Sequence, residues 1–182
     1  MVCPWWLGYF LISPYRKKRQ DPEKILEPYI KPGMKVVDFG SAMGFFSIPL
    51  ASLVGDSGKV YCLDIQEKML NKLMKRAVKF GVNNIIETKL IDSNENIFNE
   101  LSGKADFILL FAVAHEVPDK EKLFNNLFKM MKRDGIMLFS EPTGHVKKGA
   151  FEISLSIAEK SGFIKIKSID IKSEHSMLFT KN

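Results

Sequence analysis

Val36-Val37-Asp38-Phe39-Gly40-Ser41-Ala42-Met43-Gly44-Phe45-Phe46 decides how the rest of the chain is read. An apolar run ends in an acid, passes through a loop of small residues, and opens into a second apolar segment. That order predicts a buried strand, a tight turn and the start of a helix. Gly40 and Gly44 can take backbone angles closed to other residues and let a ligand approach the main chain. A helix start beyond them offers N–H groups and a positive dipole end to a negative ligand group. Asp38 adds a different demand. A carboxylate two residues before the first glycine repels a pyrophosphate, so it suits a ligand that carries a positive charge.

Twenty residues beyond Gly44, Lys59-Val60-Tyr61-Cys62-Leu63-Asp64 repeats the theme of a short apolar strand closed by an acid. In nucleotide-binding α/β folds a carboxylate at this place takes the two ribose hydroxyls. Together the segments resemble the class I S-adenosylmethionine-dependent methyltransferases, over roughly residues 30–182. Their first motif is an acid followed by three alternate glycines, and their second is an acid closing strand two. The resemblance implies S-adenosylmethionine as cofactor and S-adenosylhomocysteine as product. It places Asp38, Gly40, Ser41, Ala42 and Gly44 in the first cofactor loop, Asp64 and Ile65 in the second, and Asp92 and Ser93 beside the adenine. Phe111, at the end of strand four, would line the pocket beside the reacting methyl group. One position departs from the motif, since the middle glycine is Ala42. At positive φ an alanine costs on the order of 1 kcal/mol.

Outward from these two motifs the pattern alternates. Strands are expected at about 34–39, 59–64, 84–90, 105–112 and 135–140, with helices at about 45–54, 120–132 and 148–160 and a further one that Gly81 ends. Met69, Leu70, Leu73, Met74 and Ala77 recur at helical spacing, and Leu123, Leu127 and Met131 form one face of a later helix. Asp119 can cap that helix. Two closing β segments, Phe163–Ile171 and His175–Thr180, are joined by so few residues that they should be antiparallel neighbours. The expected architecture is α/β, a doubly wound seven-stranded, mostly parallel sheet with a C-terminal antiparallel hairpin and helices on both faces. The reversed last strand is similar to that of the methyltransferases. With Asp38, it argues against a nicotinamide dehydrogenase.

At 182 residues, 46% hydrophobic and 26% charged, the chain is globular in composition. Residues 34–182 are expected to form the cofactor-binding domain and residues 1–33 an apolar and basic extension. Cys3 and Cys62 support no disulfide framework, which points to a reducing cytoplasm. Cysteine and histidine spacing suggests no metal. The net charge of +6 is uneven, with seven Lys/Arg against three acids in residues 1–35. The remaining body is nearly neutral, so bulk charge gives little support to a nucleic-acid substrate. Residues 3–12, with Trp5 and Trp6, are too short to span a bilayer. They can pack as an extra helix, form a lid over the cofactor, or touch a membrane peripherally, the last being the least favoured.

In an open α/β sheet, ligands bind beyond the carboxyl ends of the strands. Strand four runs into Ala114-His115-Glu116 and strand five into Glu141-Pro142-Thr143-Gly144-His145. If these strands are neighbours, two histidines and two acids share one region, and His115 or His145 can take a proton at neutral pH. Glu141 or His145 is the expected partner of His115. The motif of amino-group DNA methylation is absent after strand four, and no nucleophilic cysteine stands in either loop. The reading is therefore methyl transfer to a small molecule. An RNA or protein acceptor, or a regulatory module that binds S-adenosylmethionine without turnover, stands as the alternative.

Overall fold

In the computed structural model of the chain, residue 12 and residues 14–91 and 96–182 are described, the side chains of Pro14, Tyr15 and Lys18 excepted. They fall into two compact units, Met1–Glu95 and Asn96–Asn182.

The first unit begins with two short helices, α1 (Pro14–Arg19) and α2 (Pro22–Leu26). Asp21 starts α2 by accepting from the Glu23 N–H at 3.2 Å, and Pro22 gives up a backbone donor where none is needed. Strands β1 (Lys35–Phe39), β2 (Lys59–Asp64) and β3 (Ile86–Leu90) follow, with helices α3 (Ser47–Val54) and α4 (Glu67–Lys79) between them. The strands are parallel, β2 lies between the other two, and Asp38 is in register with Cys62. On α4, Met69, Leu70, Leu73 and Ala77 are buried as the periodicity requires, while Met74 is half-buried. Gly81 takes φ 70° and turns the chain out of the helix.

The helix expected from residue 45 starts at Ser47, because residues 42–46 form turns. Gly44 sits at φ 79°, outside the right-handed helical region, and its N–H closes a turn on the Ser41 carbonyl at 2.9 Å. A Cβ at Gly44 would stand 2.9 Å from Leu73 Cγ. Two independent demands, backbone angle and space against α4, therefore require glycine there.

The second unit contains α5 (Asn96–Glu100), β4 (Ala105–Phe111), a single 3-10 turn at Ala114–Glu116, α6 (Lys120–Met130) and β5 (Met131–Pro142). It closes with α7 (Lys148–Lys160), β6 (Ile164–Ser168) and β7 (Glu174–Thr180). β4 is buried except at Asp106, as its nearly unbroken apolar run demands. It pairs in parallel with β5, and β7 runs antiparallel to both β5 and β6. The described strands number seven, and the closing pair is antiparallel as expected. Asp119 caps α6 by accepting from the Lys122 N–H at 2.9 Å. Met131 does not extend the α6 face. It leaves the helix with extended backbone (φ −74°, ψ 137°) and opens β5. Among the described residues, no helix is long and apolar enough to cross a membrane.

Candidate functional site

The loop after β1 is built by what β2 offers it. The Leu63 carbonyl at the end of β2 accepts the N–H groups of Gly40 and Ser41 at 2.8 and 3.1 Å. Asp64 then takes over. Its Oδ2 accepts the Ala42 N–H at 2.9 Å and its Oδ1 accepts the Gln66 N–H at 2.8 Å. One buried carboxylate thus ties the tip of the first loop to the start of the second. Each carboxylate oxygen can accept more than one hydrogen bond, so this role is compatible with a pair of ligand hydroxyls. Ile65, next in the chain, is 54% exposed, a large apolar side chain presented to solvent beside the acid.

Ala42 lies at φ 46°, in the left-handed region where the related motif has glycine. Ala42→Gly is expected to stabilise the protein by about 1 kcal/mol and to raise its Tm by roughly 2–4 °C. Thermal denaturation checks this, and a lower melting temperature would mean that the methyl group is packed rather than strained.

Asp38 is buried on the floor of the loop, at 4% exposure, and its Oδ2 accepts from Ser47 Oγ at 2.5 Å. Burial pushes its carboxyl up from 3.8 to about 7. The Ser47 hydrogen bond and Arg16 act in the opposite direction, and neighbouring Asp64 adds to the rise. Arg16 is half-buried, with its guanidinium 4.3 Å from the ring centroid of Phe45 and 5.7 Å from that of Phe46. From α4, Arg76 donates through Nη1 to the Met43 carbonyl. Ser47, Arg16 and Arg76 were not legible as loop-holding residues, since their partners are 9 to 33 positions away in sequence.

These residues fit the expected cofactor on one observation in particular. Ser41 Oγ is buried and has no hydrogen-bond partner among the described residues. Leaving such a hydroxyl unsatisfied is costly, and a polar ligand group on the loop would satisfy it. Asp64 would hold ribose hydroxyls, and Asp38 would favour a cationic group. Asp92 and Ser93, expected beside the adenine, lie outside the described residues, as does the tryptophan segment of residues 3–11.

In the second unit, Phe111 is buried at the end of β4, and Ala112 follows at φ 57° with its N–H on the Ser140 carbonyl of β5 at 2.8 Å. The 3-10 turn then presents His115 to Glu141 near the end of β5. His115 Nδ1 and Glu141 Oε2 are 2.5 Å apart, and the His115 backbone N–H donates to Glu141 Oε1 at 3.2 Å. The other expected histidine, His145, is exposed, and its ring lies parallel to that of His115 with centroids 5.9 Å apart. The hydrogen bond from Glu141 raises the pKa of His115 above 6.5, against the opposing effect of burial. Among the described residues, no group of three or more His, Cys, Asp or Glu is placed to hold a metal.

Residues 30–177 match a family model described as a methyltransferase domain. A probable cobalt-precorrin-6B C(15)-methyltransferase (decarboxylating) of Saccharolobus solfataricus is 28% identical over 143 residues, 78% of this chain and 67% of the relative. The ubiquinone/menaquinone biosynthesis C-methyltransferase UbiE of Cronobacter sakazakii is 28% identical over 62% of this chain, which spans 45% of that relative's length. Among solved structures, a SAM-dependent methyltransferase from Aquifex aeolicus superposes with a TM-score of 0.83 over 98% of both chains, at 24% identity. A putative rRNA methylase from Clostridium thermocellum gives a TM-score of 0.68 over 89% of this chain and 96% of its own, at 18% identity. These likenesses show the doubly wound α/β fold.

Proposed function

Since the chain belongs to the methyltransferase-domain family, whose cofactor is S-adenosylmethionine, we propose that it transfers a methyl group from that cofactor to a small-molecule acceptor. The observation that supports this reading is the Asp64 carboxylate, which accepts an amide N–H from each of two loops and closes β2, the place at which nucleotide-binding α/β folds carry an acid for the ribose hydroxyls. Bound S-adenosylmethionine supplies an electrophilic methyl carbon on a positively charged sulfur. The chain's part is to hold that group in line with the acceptor and to keep water away. Gly40 and Gly44 shape the loop, Ser41 Oγ meets a polar group of the amino-acid part, and ionised Asp38 stabilises positive charge. Ile65 offers an apolar face to the adenosine. A small acceptor agrees with the names of the two relatives described above. It also agrees with the near-neutral charge beyond residue 35. A reducing cytoplasm is the compartment that goes with this reading.

Calorimetry on the full chain should show binding of S-adenosylmethionine and S-adenosylhomocysteine and none of NAD. Incubation with labelled S-adenosylmethionine and separate pools of small metabolites, RNA and protein should place the label in the first pool. Label in RNA or protein alone would overturn the acceptor class. Binding without transfer to any pool would leave a regulatory module.

A further inference from the structure

Resting on the reading of the first loop as an S-adenosylmethionine site, we infer that Arg16 is a positioning residue for that cofactor, and that through it α1 straps the glycine loop. The guanidinium of Arg16 stacks 4.3 Å from the ring centroid of Phe45 and 5.7 Å from that of Phe46. The two rings meet edge to face with centroids 5.0 Å apart, so they form one aromatic platform. The platform begins immediately after Gly44, whose N–H closes the turn on the Ser41 carbonyl. Whatever fixes Phe45 therefore fixes the backbone that carries Ser41 Oγ, the buried hydroxyl without a hydrogen-bond partner among the described residues. Arg16 Nε donates to Gln20 Oε1 at 3.1 Å, one turn along, which sets the plane of the guanidinium.

α1 has six residues, too few to hold helical shape without partners. α2 beside it is anchored by buried Pro22 and Leu26. An exposed ion pair, Lys17 Nζ to Glu23 Oε1 at 3.3 Å, joins the two helices and contributes little at the surface. The Arg16 contact reaches the loop itself. Because one loop arrangement serves both the guanidinium and the cofactor, each should favour the other by the same factor. Charge adds a second route. Four groups bear on the Asp38 carboxyl, namely Ser47 from α3, Asp64 and the Cys62 thiol from β2, and Arg16 from α1. Arg16 is the cation among the four, and it favours the ionised carboxylate that a cationic ligand needs.

The test uses the full chain and two variants, Arg16→Gln and Arg16→Lys, with S-adenosylmethionine and S-adenosylhomocysteine as probes. The run Arg16-Lys17-Lys18-Arg19 offers trypsin sites inside α1 itself. Where opening and closing are fast, cleavage follows the population of the open form. In the wild-type protein either ligand should slow cleavage within residues 16–19, with fragment masses locating the cut. Calorimetry should show Arg16→Gln binding S-adenosylmethionine about threefold to thirtyfold more weakly, the contribution of a stacked cation. That variant should be cut faster after residues 17–19, and the ligand should protect it less. Arg16→Lys keeps the charge but loses the planar stack, so it should recover part of the affinity. A pH profile separates this role from a merely structural one. Loss of affinity on acidification should begin at higher pH in Arg16→Gln, because the cation that lowers the Asp38 pKa is gone. In Arg16→Lys it should begin near the wild-type pH. Wild-type cleavage in α1 that neither ligand slows would overturn the inference, however the variants fold. Unchanged binding by Arg16→Gln would do the same, and so would tighter binding, which would make Arg16 a competitor of the ligand's cation. Failure of the wild-type chain to bind S-adenosylmethionine would remove the underlying reading, and this inference with it.

Discussion

Asp64→Ala is expected to weaken S-adenosylmethionine binding by about a hundredfold or more. Loss of a charge-assisted hydrogen bond costs about 1.5–3 kcal/mol, and a carboxylate that spans two ribose hydroxyls would lose two. A second loss compounds it. The Ala42 and Gln66 amides both depend on this side chain, so both loops lose an anchor and the glycine loop is no longer pre-set for its ligand. Asp64→Asn separates these effects only in part, because the amide keeps one acceptor and turns a donor towards one of the two N–H groups. Both variants should unfold at lower temperature than wild type, and calorimetry should show Asp64→Asn retaining part of the affinity that Asp64→Ala loses. Affinity within threefold of wild type in a folded Asp64→Ala protein would take the ribose away from this residue.

For Asp38 the expected effect is a dependence on pH. Its carboxyl is raised to about 7 in the folded state, chiefly by burial, from 3.8. A folded group with a raised acid pKa holds its proton where the unfolded chain has released it. The ligand-free protein should therefore lose stability as pH rises from about 4 to about 7, by roughly 4 kcal/mol from this group, and no further above 7. A cationic ligand reverses the balance, since only the ionised carboxylate attracts it. S-adenosylmethionine affinity should fall by up to about tenfold per unit as pH drops below 7. Binding there should release a proton, seen as a dependence of the binding enthalpy on the buffer. Asp38→Asn should abolish both pH dependences and hold affinity near its acidic limit. A pH-independent affinity in the wild-type protein would show that Asp38 stays in one protonation state throughout.

Strands β1, β2 and β4 were legible because each is a largely apolar run that ends at an acid or a small-residue turn. The positive φ of Ala42 was foreseeable from the position it occupies between Gly40 and Gly44. The start of α3 was misplaced by two residues, because Phe45 and Phe46 read as helix while Gly44 and the bond from Ser47 to Asp38 postpone it. Other features depend on tertiary partners. Nothing local says that Arg76 of α4 will reach the Met43 carbonyl, or that Arg16 will stack on Phe45. Glu141 could be suspected as partner of His115, but their bond exists only because β4 and β5 lie side by side and end together. Ala112 carries no sequence mark of its left-handed backbone, since alanine is common in both strands and helices.

The placing of β7 between β5 and β6 has a kinetic meaning. Among the described residues β6 has no hydrogen-bonded neighbour other than β7, and it is exposed along its whole length. It cannot join the growing sheet ahead of the strand that follows it. Pairing β6 with β7 closes a short loop, whereas pairing β7 with β5 closes a span of more than thirty residues that includes α7. Loop-closure entropy favours the shorter event. The expected order is a hairpin that forms first and then docks as a unit onto β5. Until it docks, β5 presents an open edge beside Phe139 and Leu138, so the unit is most open to aggregation late in its folding, just before the hairpin arrives.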